Sequence, residues 1–187
     1  RFQKPDWLTL GLDILKSDGP RGIRVENLCA RAHKTKGSFY HHFKDRDDYV
    51  DSLLAFWEDM FTQAVIAQVE LLPAPVDRLI ALNTLTLDLD HGVERDLRHW
   101  AGTDKKVQKT LARVDKRRLD YVARLLMQAK NISSQTAIDL AMMNYATLVG
   151  FQQIYIDIHP QRRARIDKMF VDILHTLPDH HATQNET

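Results

Sequence analysis

Two short helical patterns, separated by a few polar residues, constrain the fold of this chain more than any other feature of its sequence. In the first, apolar residues recur at i, i+3, i+4 and i+7, which is one face of an α-helix. In the second, predicted over residues 34–43, Phe39 and Phe43 stand at i and i+4 and form the inward side. Two short helices joined by a tight turn are the outline of a helix-turn-helix. The apolar residues of the first helix are Val25, Leu28, Cys29 and Ala32.

Basic residues are concentrated in the same stretch of sequence. Between Arg21 and Arg46, seven lysine and arginine residues stand against two acids, although the net charge of the 187-residue chain is only +1. The rest of the chain is therefore weakly acidic. Cations gathered on one small module are typical of a nucleic-acid-binding protein, because they neutralise backbone phosphates.

The composition and the spacing of apolar residues indicate a soluble, all-α protein of about nine helices. The chain is 44% hydrophobic and 27% charged, with only 7 glycines and 6 prolines. Three helices are predicted to form an N-terminal domain over residues 1–48. A long fourth helix, from about Asp45 to about Leu72, is predicted to join it to a helical C-terminal domain over residues 49–187. Further helices are predicted over residues 76–89, 94–101, 105–130, 133–158 and 162–177.

Several kinds of chemical site find no support in the sequence. The single cysteine, Cys29, excludes an intramolecular disulfide and stands on a predicted apolar face, where a buried role is expected. His41 and His42 are adjacent, and adjacent helical residues point about 100° apart, so we expect no metal site there. His180 and His181 lie in a polar tail and are expected to be solvated. We expect neither a cofactor nor an enzyme, because no nucleophile–base pair, glycine-rich phosphate loop or metal-ligand spacing is present.

The sequence also predicts where the protein works. No signal peptide is visible, and no uninterrupted apolar run approaches the roughly 20 residues of a membrane span. We therefore expect a cytoplasmic protein without a membrane partner. The chain begins at Arg1 rather than at a methionine, so the question whether a further N-terminal segment precedes it stays open.

The stretch KGSFYHHFKDRDDYV resembles the end of the helix-turn-helix of the tetracycline-repressor-like (TetR) family of bacterial transcriptional regulators. That family typically shows a small residue, an aliphatic or aromatic residue, Tyr, any residue, His, Phe and then a Lys at the approach to the next helix. Upstream, WLTLGLDILKSDGPRGIRVENLCARA resembles the family's first helix, its glycine-containing loop and the opening of its second helix. The matching residues of the first stretch are Ser38, Phe39, Tyr40, His42, Phe43 and Lys44.

This chain departs from the family's usual pattern at three positions. His33 stands where the family usually has a glycine in the turn. Glycine tolerates positive φ freely and histidine pays a modest penalty, so a turn that is slightly strained or differently shaped is expected. Arg24 stands where a helix-capping Thr or Ser is usual; its side chain cannot accept the capping hydrogen bond but can reach a phosphate. The lysine that often opens the fourth helix is Arg46.

The resemblance implies which residues of the helix-turn-helix contact duplex DNA. Gly37 and Ser38 let the second helix approach the major groove closely, and Lys36 is long enough to reach a guanine edge. Phosphate contacts are implied for others, and these fix the register on the duplex without reading its sequence. The predicted DNA-binding residues are Arg24, Thr35, Lys36, Gly37, Ser38, Tyr40, His42 and Lys44.

The resemblance also implies a homodimer and a small-molecule effector site in the C-terminal domain. A helix-turn-helix usually binds two half-sites about 34–36 Å apart, so a dimer is needed. The predicted dimer-interface residues are Tyr145, Val149, Gln153, Ile166, Phe170 and Ile173. The predicted effector pocket, with aromatic walls and a few polar groups, comprises Trp57, Met60, Leu87, His91, Trp100, Tyr121, Asn144, Phe151 and Tyr155. For every residue of these two sets, packing in an ordinary core is the alternative.

The predicted function is that of a ligand-responsive transcriptional regulator, a repressor that binds a palindromic operator as a homodimer through the helix over residues 34–43. Its expected partners are operator DNA, a small-molecule effector and a second copy of the chain. Two alternatives stay open: an all-α enzyme with a basic N-terminus, and a helical protein-interaction module that no longer reads DNA. The non-glycine turn at His33 is the only support for the second alternative.

Overall fold

The computed structural model describes residues 2–179, with the side chains of residues 87 and 88 outside that description. Within this range the chain forms nine helices, which confirms the prediction of an all-α fold with about nine helices. Ten α-helical segments give this count, because α4, a π-helical turn (Asp59–Gln63) and α5 are continuous. The segments are α1 (Lys4–Asp18), α2 (Val25–Ala32), α3 (Lys36–Tyr40), α4 (Arg46–Glu58), α5 (Ala64–Val69), α6 (Pro75–Asp88), α7 (Gly92–Ala101), α8 (Lys105–Ala129), α9 (Ser134–Gln153) and α10 (Pro160–Thr176).

Local capping chemistry fixes several helix starts where the sequence predicts them. The Asp45 carboxylate accepts a hydrogen bond from the Asp48 N–H at 2.8 Å, which caps α4. The Ser133 hydroxyl accepts from the Thr136 N–H at 3.1 Å and caps α9. Pro75 occupies the first turn of α6, where its missing N–H costs nothing.

Two predicted helices are shorter in the structure. α3 ends at Tyr40 instead of at residue 43, and the chain turns there so that Phe43 is buried as fully as Phe39. α9 ends at Gln153 instead of near residue 158. Ile154 and Ile156, which follow this end, are both mostly exposed, so no packing extends the helix over them.

Contacts between residues divide the chain into two compact units, each with its own core. The first unit comprises the described residues up to Gln63 together with Asp90–Val114. The second comprises Ala64–Leu89 and the described residues from Asp115 onward. The functional division at residue 48 stays a prediction. Within residues 2–179, no helix is both long enough and apolar enough to cross a membrane.

An aromatic cluster forms the centre of the first unit. The ring of Phe39 lies 5.5 Å from that of Trp7 and 5.0 Å from that of Phe43, and Phe43 lies 4.9 Å from Tyr49. The Tyr49 hydroxyl donates a hydrogen bond to the Trp7 carbonyl at 2.9 Å. A Cβ added at Gly11 would lie 2.0 Å from that hydroxyl oxygen, so α1 and α4 can approach this closely only with a glycine there.

Ion pairs join the segment 90–114 to the rest of the first unit. Lys16 at the end of α1 pairs with Asp90, and Asp51 on α4 pairs with Lys106 at 2.9 Å. Glu58, the last residue of α4, is buried and accepts two hydrogen bonds from the guanidinium of Arg113 on α8. The bidentate geometry fixes the register between the two helices within this unit.

Aliphatic and small side chains form the core of the second unit. Leu125 and Leu126 of α8 are fully buried, as are Ala137 and Ala141 of α9. Alanines let the helices approach closely. The buried ammonium of Lys130 is satisfied by the Leu177 carbonyl and the Asp179 carboxylate, the latter at 2.7 Å. An isolated antiparallel bridge between Lys130 and Asp179 accompanies this contact.

Candidate nucleic-acid interface

The turn between α2 and α3 is built on a left-handed residue. His33 has φ 52° and ψ 44°, and it is the one non-glycine residue with positive φ within residues 2–179. The His33 N–H donates to the Ala30 carbonyl at 3.2 Å, and the Lys34 N–H donates to the Cys29 carbonyl at 2.9 Å. These bonds close the end of α2 despite the conformational cost of a histidine at this position. Of the two expectations for this turn, slight strain or a different shape, the left-handed conformation of His33 fits the first.

α3 is a single short helix with one buried and one exposed side. Thr35 precedes it, and its hydroxyl accepts the Ser38 N–H at 3.2 Å, which caps the helix. Phe39 is completely buried in the aromatic cluster, whereas Tyr40 is 52% exposed. Phe39 therefore anchors α3 and holds its opposite side in solvent. We call Lys36, Gly37 and Tyr40, all exposed, the α3 face.

The predicted DNA-binding residues occupy the surface around the α3 face. Ser38 and His42 are half-buried, and the other six are exposed. Arg24 precedes α2 in an extended conformation and makes no side-chain cap, as its chemistry predicts. Contact of these residues with DNA stays a prediction. The exposed six are Arg24, Thr35, Lys36, Gly37, Tyr40 and Lys44.

Gly37 leaves the backbone of α3 open to solvent. A Cβ added there would meet only the Thr35 hydroxyl oxygen, at an ordinary contact distance of 3.7 Å. The fold would therefore accept a larger residue at this position. A glycine on the exposed side of a helix costs helix propensity relative to alanine, and close approach of another molecule to the backbone is a reason to keep it.

Sequence reasoning missed an ion pair that crosses the turn. The Lys36 ammonium donates to the Glu26 carboxylate at 2.5 Å, from the start of α3 to the first turn of α2. This hydrogen bond holds the pKa of the Glu26 carboxyl below its usual range and raises the pKa of the Lys36 ammonium. Ten residues separate the two partners, and no short-range spacing rule connects them across a turn.

Other contacts around the module were also absent from the sequence prediction. The Arg46 guanidinium donates through Nε to the Ile23 carbonyl at 2.8 Å, so this residue ties the start of α4 to the segment before α2. The ammonium of Lys4 lies 5.1 Å from the centre of the Phe43 ring. The Lys44 N–H donates to the Asp48 carboxylate at 2.8 Å. Arg46 and Ile23, like Lys4 and Phe43, are far apart in sequence, so only the tertiary structure brings them together.

The predicted effector residues do not form one set in the structure. Trp57, Met60, His91 and Trp100 belong to the first unit, and the others with described side chains belong to the second. Trp57 and Trp100 are buried in the core of the first unit, and Tyr121 is buried in the core of the second. Phe151 is buried outside both cores, with the Arg163 guanidinium 5.2 Å from the centre of its ring. Met60 and Tyr155 are 48% and 59% exposed, and the Leu87 side chain lies outside the described part of the chain. Their binding of an effector stays a prediction.

A cleft of about 150 Å³ lies between α6, α9 and α10 in the second unit. It includes Asn144 from the predicted effector residues and three of the predicted dimer-interface residues. Its size is below the range of roughly 300–1,000 Å³ typical of drug-sized ligands. The lining residues are Asn83, Met143, Asn144, Thr147, Leu148, Ile166, Asp167, Met169, Phe170 and Ile173.

The predicted dimer-interface residues have mixed environments. The Tyr145 hydroxyl donates to the Asp115 carboxylate at 2.6 Å and accepts from Arg118 at 3.1 Å, so its polar end is engaged within the second unit. Val149, Ile166 and Phe170 are half-buried, and Gln153 and Ile173 are exposed. Their place in a dimer stays a prediction.

Exposed methionines beside the cleft escaped sequence reasoning. Met143 on α9 and Met169 on α10 are 62% and 63% exposed, and Ile173 is 42% exposed. We call these three residues, which all line the cleft, the methionine face. Ile173 is among the predicted dimer-interface residues, whereas Met143 and Met169 are in neither predicted set, because nothing local in the sequence distinguishes an exposed apolar residue at helical spacing from a core residue.

The adjacent histidines have a simple packing contact. The rings of His41 and His42 lie 5.0 Å apart at an angle of 71°. Among residues 2–179, no three His, Cys, Asp or Glu side chains are grouped so that they could hold a metal ion.

Comparison with solved structures finds proteins that share this fold. A protein assigned as a transcriptional regulator from Pseudomonas aeruginosa PAO1 is 18% identical, with a TM-score of 0.71 over 92% of this chain and 90% of that one. One assigned to the TetR family from Rhodococcus sp. is 18% identical, with a TM-score of 0.69 over 93% of this chain and 97% of its own. AibR in complex with isovaleryl coenzyme A and operator DNA is 17% identical, with a TM-score of 0.64 over 93% and 97%. No family model and no curated protein matches the sequence. The chain has the fold of TetR-family transcriptional regulators.

Proposed function

We propose that this protein is a transcriptional repressor that binds a palindromic operator as a homodimer through α3 and responds to a small-molecule effector. The observation that carries the proposal is the construction of α3, which is anchored by the buried Phe39 and turns a small, cationic face outward. A helix of this kind fits the major groove, which admits one helix and offers acceptors to its donors.

Charge supports duplex DNA as the ligand of this face. Seven of the chain's 26 lysine and arginine residues fall between Arg21 and Arg46, beside two acids. Arg24 and Lys44 are exposed there and can reach phosphates on either side of the groove. Binding that depends on such contacts releases counterions, so affinity is expected to fall steeply as salt concentration rises.

The methionine face supports a homodimer. Exposed, clustered apolar side chains on a folded protein mark a surface for another protein or ligand. A helix-turn-helix that reads two symmetric half-sites needs a second copy, with the two reading helices about 34–36 Å apart. The methionine face is apolar and lies far along the sequence from the helix-turn-helix, so it suits contact with that second copy.

Effector response rests on the shared fold. The AibR complex contains both isovaleryl coenzyme A and operator DNA. For this chain, an effector that binds one arrangement of the dimer better than another would change the spacing of the two α3 helices and weaken operator binding.

The proposal is tested by fluorescence-anisotropy titration of the full chain with labelled duplex from its own upstream region and with a scrambled duplex of equal length. The titrations are repeated across a salt series. We expect the upstream duplex to bind far more tightly and Lys36→Ala to lose most of that preference. Lys109→Ala, which removes an exposed lysine from α8, is the matched control and should keep it.

Two results would contradict the proposal. Equal binding of both duplexes, together with failure to select any sequence from genomic fragments, would favour an interaction module without sequence reading. A Lys36→Ala variant that binds the selected site like the wild type would remove α3 as the reading helix.

A further inference from the structure

The ion pair between Glu26 and Lys36 stands in the middle of the surface proposed to bind DNA. Lys36 is the first residue of α3, and Glu26 lies in the first turn of α2. The Lys36 side chain is 57% exposed and the Glu26 side chain 69%, and the ammonium and carboxylate are 2.5 Å apart. Arg24, a predicted phosphate contact, adds its charge near the same carboxylate. An acid therefore sits among the cations that would face a polyanion.

Stability does not explain this pair. Exposed ion pairs in water contribute little to folding, because the charges are screened and two long side chains must be ordered. An acid in the first turn also complements the helix dipole, but that role needs only a charge in the turn and no contact with α3. The contact with Lys36 is the feature that calls for another explanation.

The chemistry of the pair gives such an explanation. A lysine ammonium has three N–H donors, so Lys36 can keep its bond to Glu26 and still donate to a guanine edge. Toward phosphates, however, the pair has no net charge, and the carboxylate is repelled by them. The ion pair thus lowers the affinity for any duplex. It lowers the affinity least for a duplex in which a base accepts hydrogen bonds from the remaining N–H groups of Lys36.

We propose that Glu26 is a specificity-determining residue that positions Lys36 and makes DNA binding depend on the base opposite this lysine. This inference rests on the proposed function. Glu26 mainly lowers the affinity for DNA that lacks the preferred base. Specificity is a difference of affinities, and a repulsive group can create that difference. Lys36 remains the group that touches the base.

The test is a selection from a duplex library with a randomised core, carried out with full-chain wild type and Glu26→Gln. The affinity of each protein for its selected site and for a random duplex is then measured across a salt series. We expect Glu26→Gln to bind random duplex more tightly, with a salt slope steeper by about one, because the freed Lys36 now counts as a phosphate contact. The ratio of site to random affinity should fall roughly three- to tenfold, with relaxed preference at one base position.

Three further variants separate positioning from general charge. Asp13→Asn removes an exposed acid from α1, for which the described contacts include no cation, and should raise both affinities by the same factor. Glu26→Asp keeps the charge in the first turn of α2 but withdraws it from Lys36, so it should lose specificity without losing thermal stability. In the Lys36→Ala background, Glu26→Gln should no longer alter preference at that base position.

The outcomes separate this inference from the proposed function. Equal effects of Glu26→Gln on site and random duplex, or a change of base preference that persists without Lys36, would overturn the role of Glu26 alone. If wild-type protein selects no sequence at all, the proposed function fails and this inference fails with it.

Discussion

The α3 face and the methionine face are both exposed sides of helices whose other sides are buried, yet their chemistry is opposite. Lys36 and Tyr40 give the α3 face a cation and a phenol around an open glycine backbone. Met143 and Met169 give the other face two flexible apolar side chains, each more than half exposed. The first suits a polyanion with hydrogen-bonding edges, and the second suits another apolar surface. The surface proposed to bind DNA and the surface proposed to bind a second copy thus differ in chemistry within one fold.

The cores beneath the two faces also differ: aromatic rings pack under α3, and small side chains pack under α9. Rings in edge and tilted contact fix α3 through Phe39, which gives the short helix a rigid base. α9 packs instead through Ala137 and Ala141. Both are almost completely buried, and their small side chains allow close helix packing without a large anchoring side chain. A five-residue helix needs a large anchor, because its few backbone hydrogen bonds do not stabilise it alone.

Removal of the α3 anchor is expected to have the largest effect. Phe39→Ala should lower the free energy of unfolding by about 3–5 kcal/mol, since a completely buried ring is replaced by a cavity. Chemical denaturation followed by circular dichroism measures the change. Phe170→Ala, at a half-buried position of α10, is the comparison and should cost clearly less. Equal losses at the two positions would show that the aromatic cluster is not a special anchor.

A charge placed on the methionine face is expected to break the proposed dimer. Met169→Glu should raise the dimer dissociation constant by roughly ten- to a hundredfold, because a carboxylate without a partner would be buried in each protomer's contact. Size-exclusion chromatography with light scattering over a dilution series measures it. Leu71→Glu, at an 84% exposed position of the same unit, should leave the dimer intact. A Met169→Glu protein that stays dimeric would place the dimer surface elsewhere.

A side chain placed at Gly37 in the α3 face should weaken DNA binding and leave the fold intact. Gly37→Ala puts a methyl group only against the Thr35 hydroxyl, so the protein should keep or slightly gain stability. Its affinity for operator should fall roughly tenfold, because the methyl group holds the backbone away from the groove. Gly37→Val should lose more. If anisotropy titrations show no dependence on side-chain size, α3 does not approach DNA at this residue.

Sequence reasoning succeeded where local rules decide the structure. Periodicity predicts the buried positions Val25, Leu28 and Phe39, and all three are buried. Capping chemistry predicts the start of α4 at Asp45 and that of α9 at Ser133 or Ser134, and the structure has the caps at Asp45 and Ser133. These features depend on residues within one or two turns of each other.

Sequence reasoning failed where distant residues decide the structure. The contact of Glu26 with Lys36 depends on the angle between α2 and α3. The predicted effector residues share a composition but lie in two separate units. Met169 is apolar at helical spacing, and nothing local tells whether such a residue faces a core or solvent. Composition and periodicity carry no information on which helices face one another.

The turn of the helix-turn-helix should tolerate, and gain from, the family's usual residue. His33→Gly should raise the free energy of unfolding by about 0.5–1 kcal/mol, since glycine adopts φ 52° without strain but loses more entropy on folding. Urea denaturation measures the gain. His41→Gly, at a residue with φ −68°, should give none. An unchanged operator affinity of His33→Gly would show that the turn geometry is retained; a lower stability would mean that the His33 side chain makes a favourable contact.

The smallest effect is expected at the acid of the second unit's cleft. Asp167 Oδ2 is buried and accepts no hydrogen bond from residues 2–179, and burial raises the pKa of this carboxyl although Arg163 lowers it. A folded state that holds a proton more tightly than the unfolded state is favoured at low pH and loses stability as pH rises toward the raised pKa. The residues that line the cleft from α6 and α9 are uncharged, so they do not offset this loss.

Asp167→Asn replaces the carboxylate by a neutral group of the same shape. It should therefore raise the melting temperature at pH 7 by roughly 1–3 °C. The gain should shrink as pH falls and vanish near pH 3, about one unit below the ordinary Asp pKa of about 3.9, where the unfolded carboxyl is protonated as well. Differential scanning calorimetry at the two pH values measures this. Asp172→Asn on the same helix removes an exposed partner of Lys168 and should bring no gain. A pH-independent gain at residue 167 would mean that desolvation of the carboxylate is not the cause.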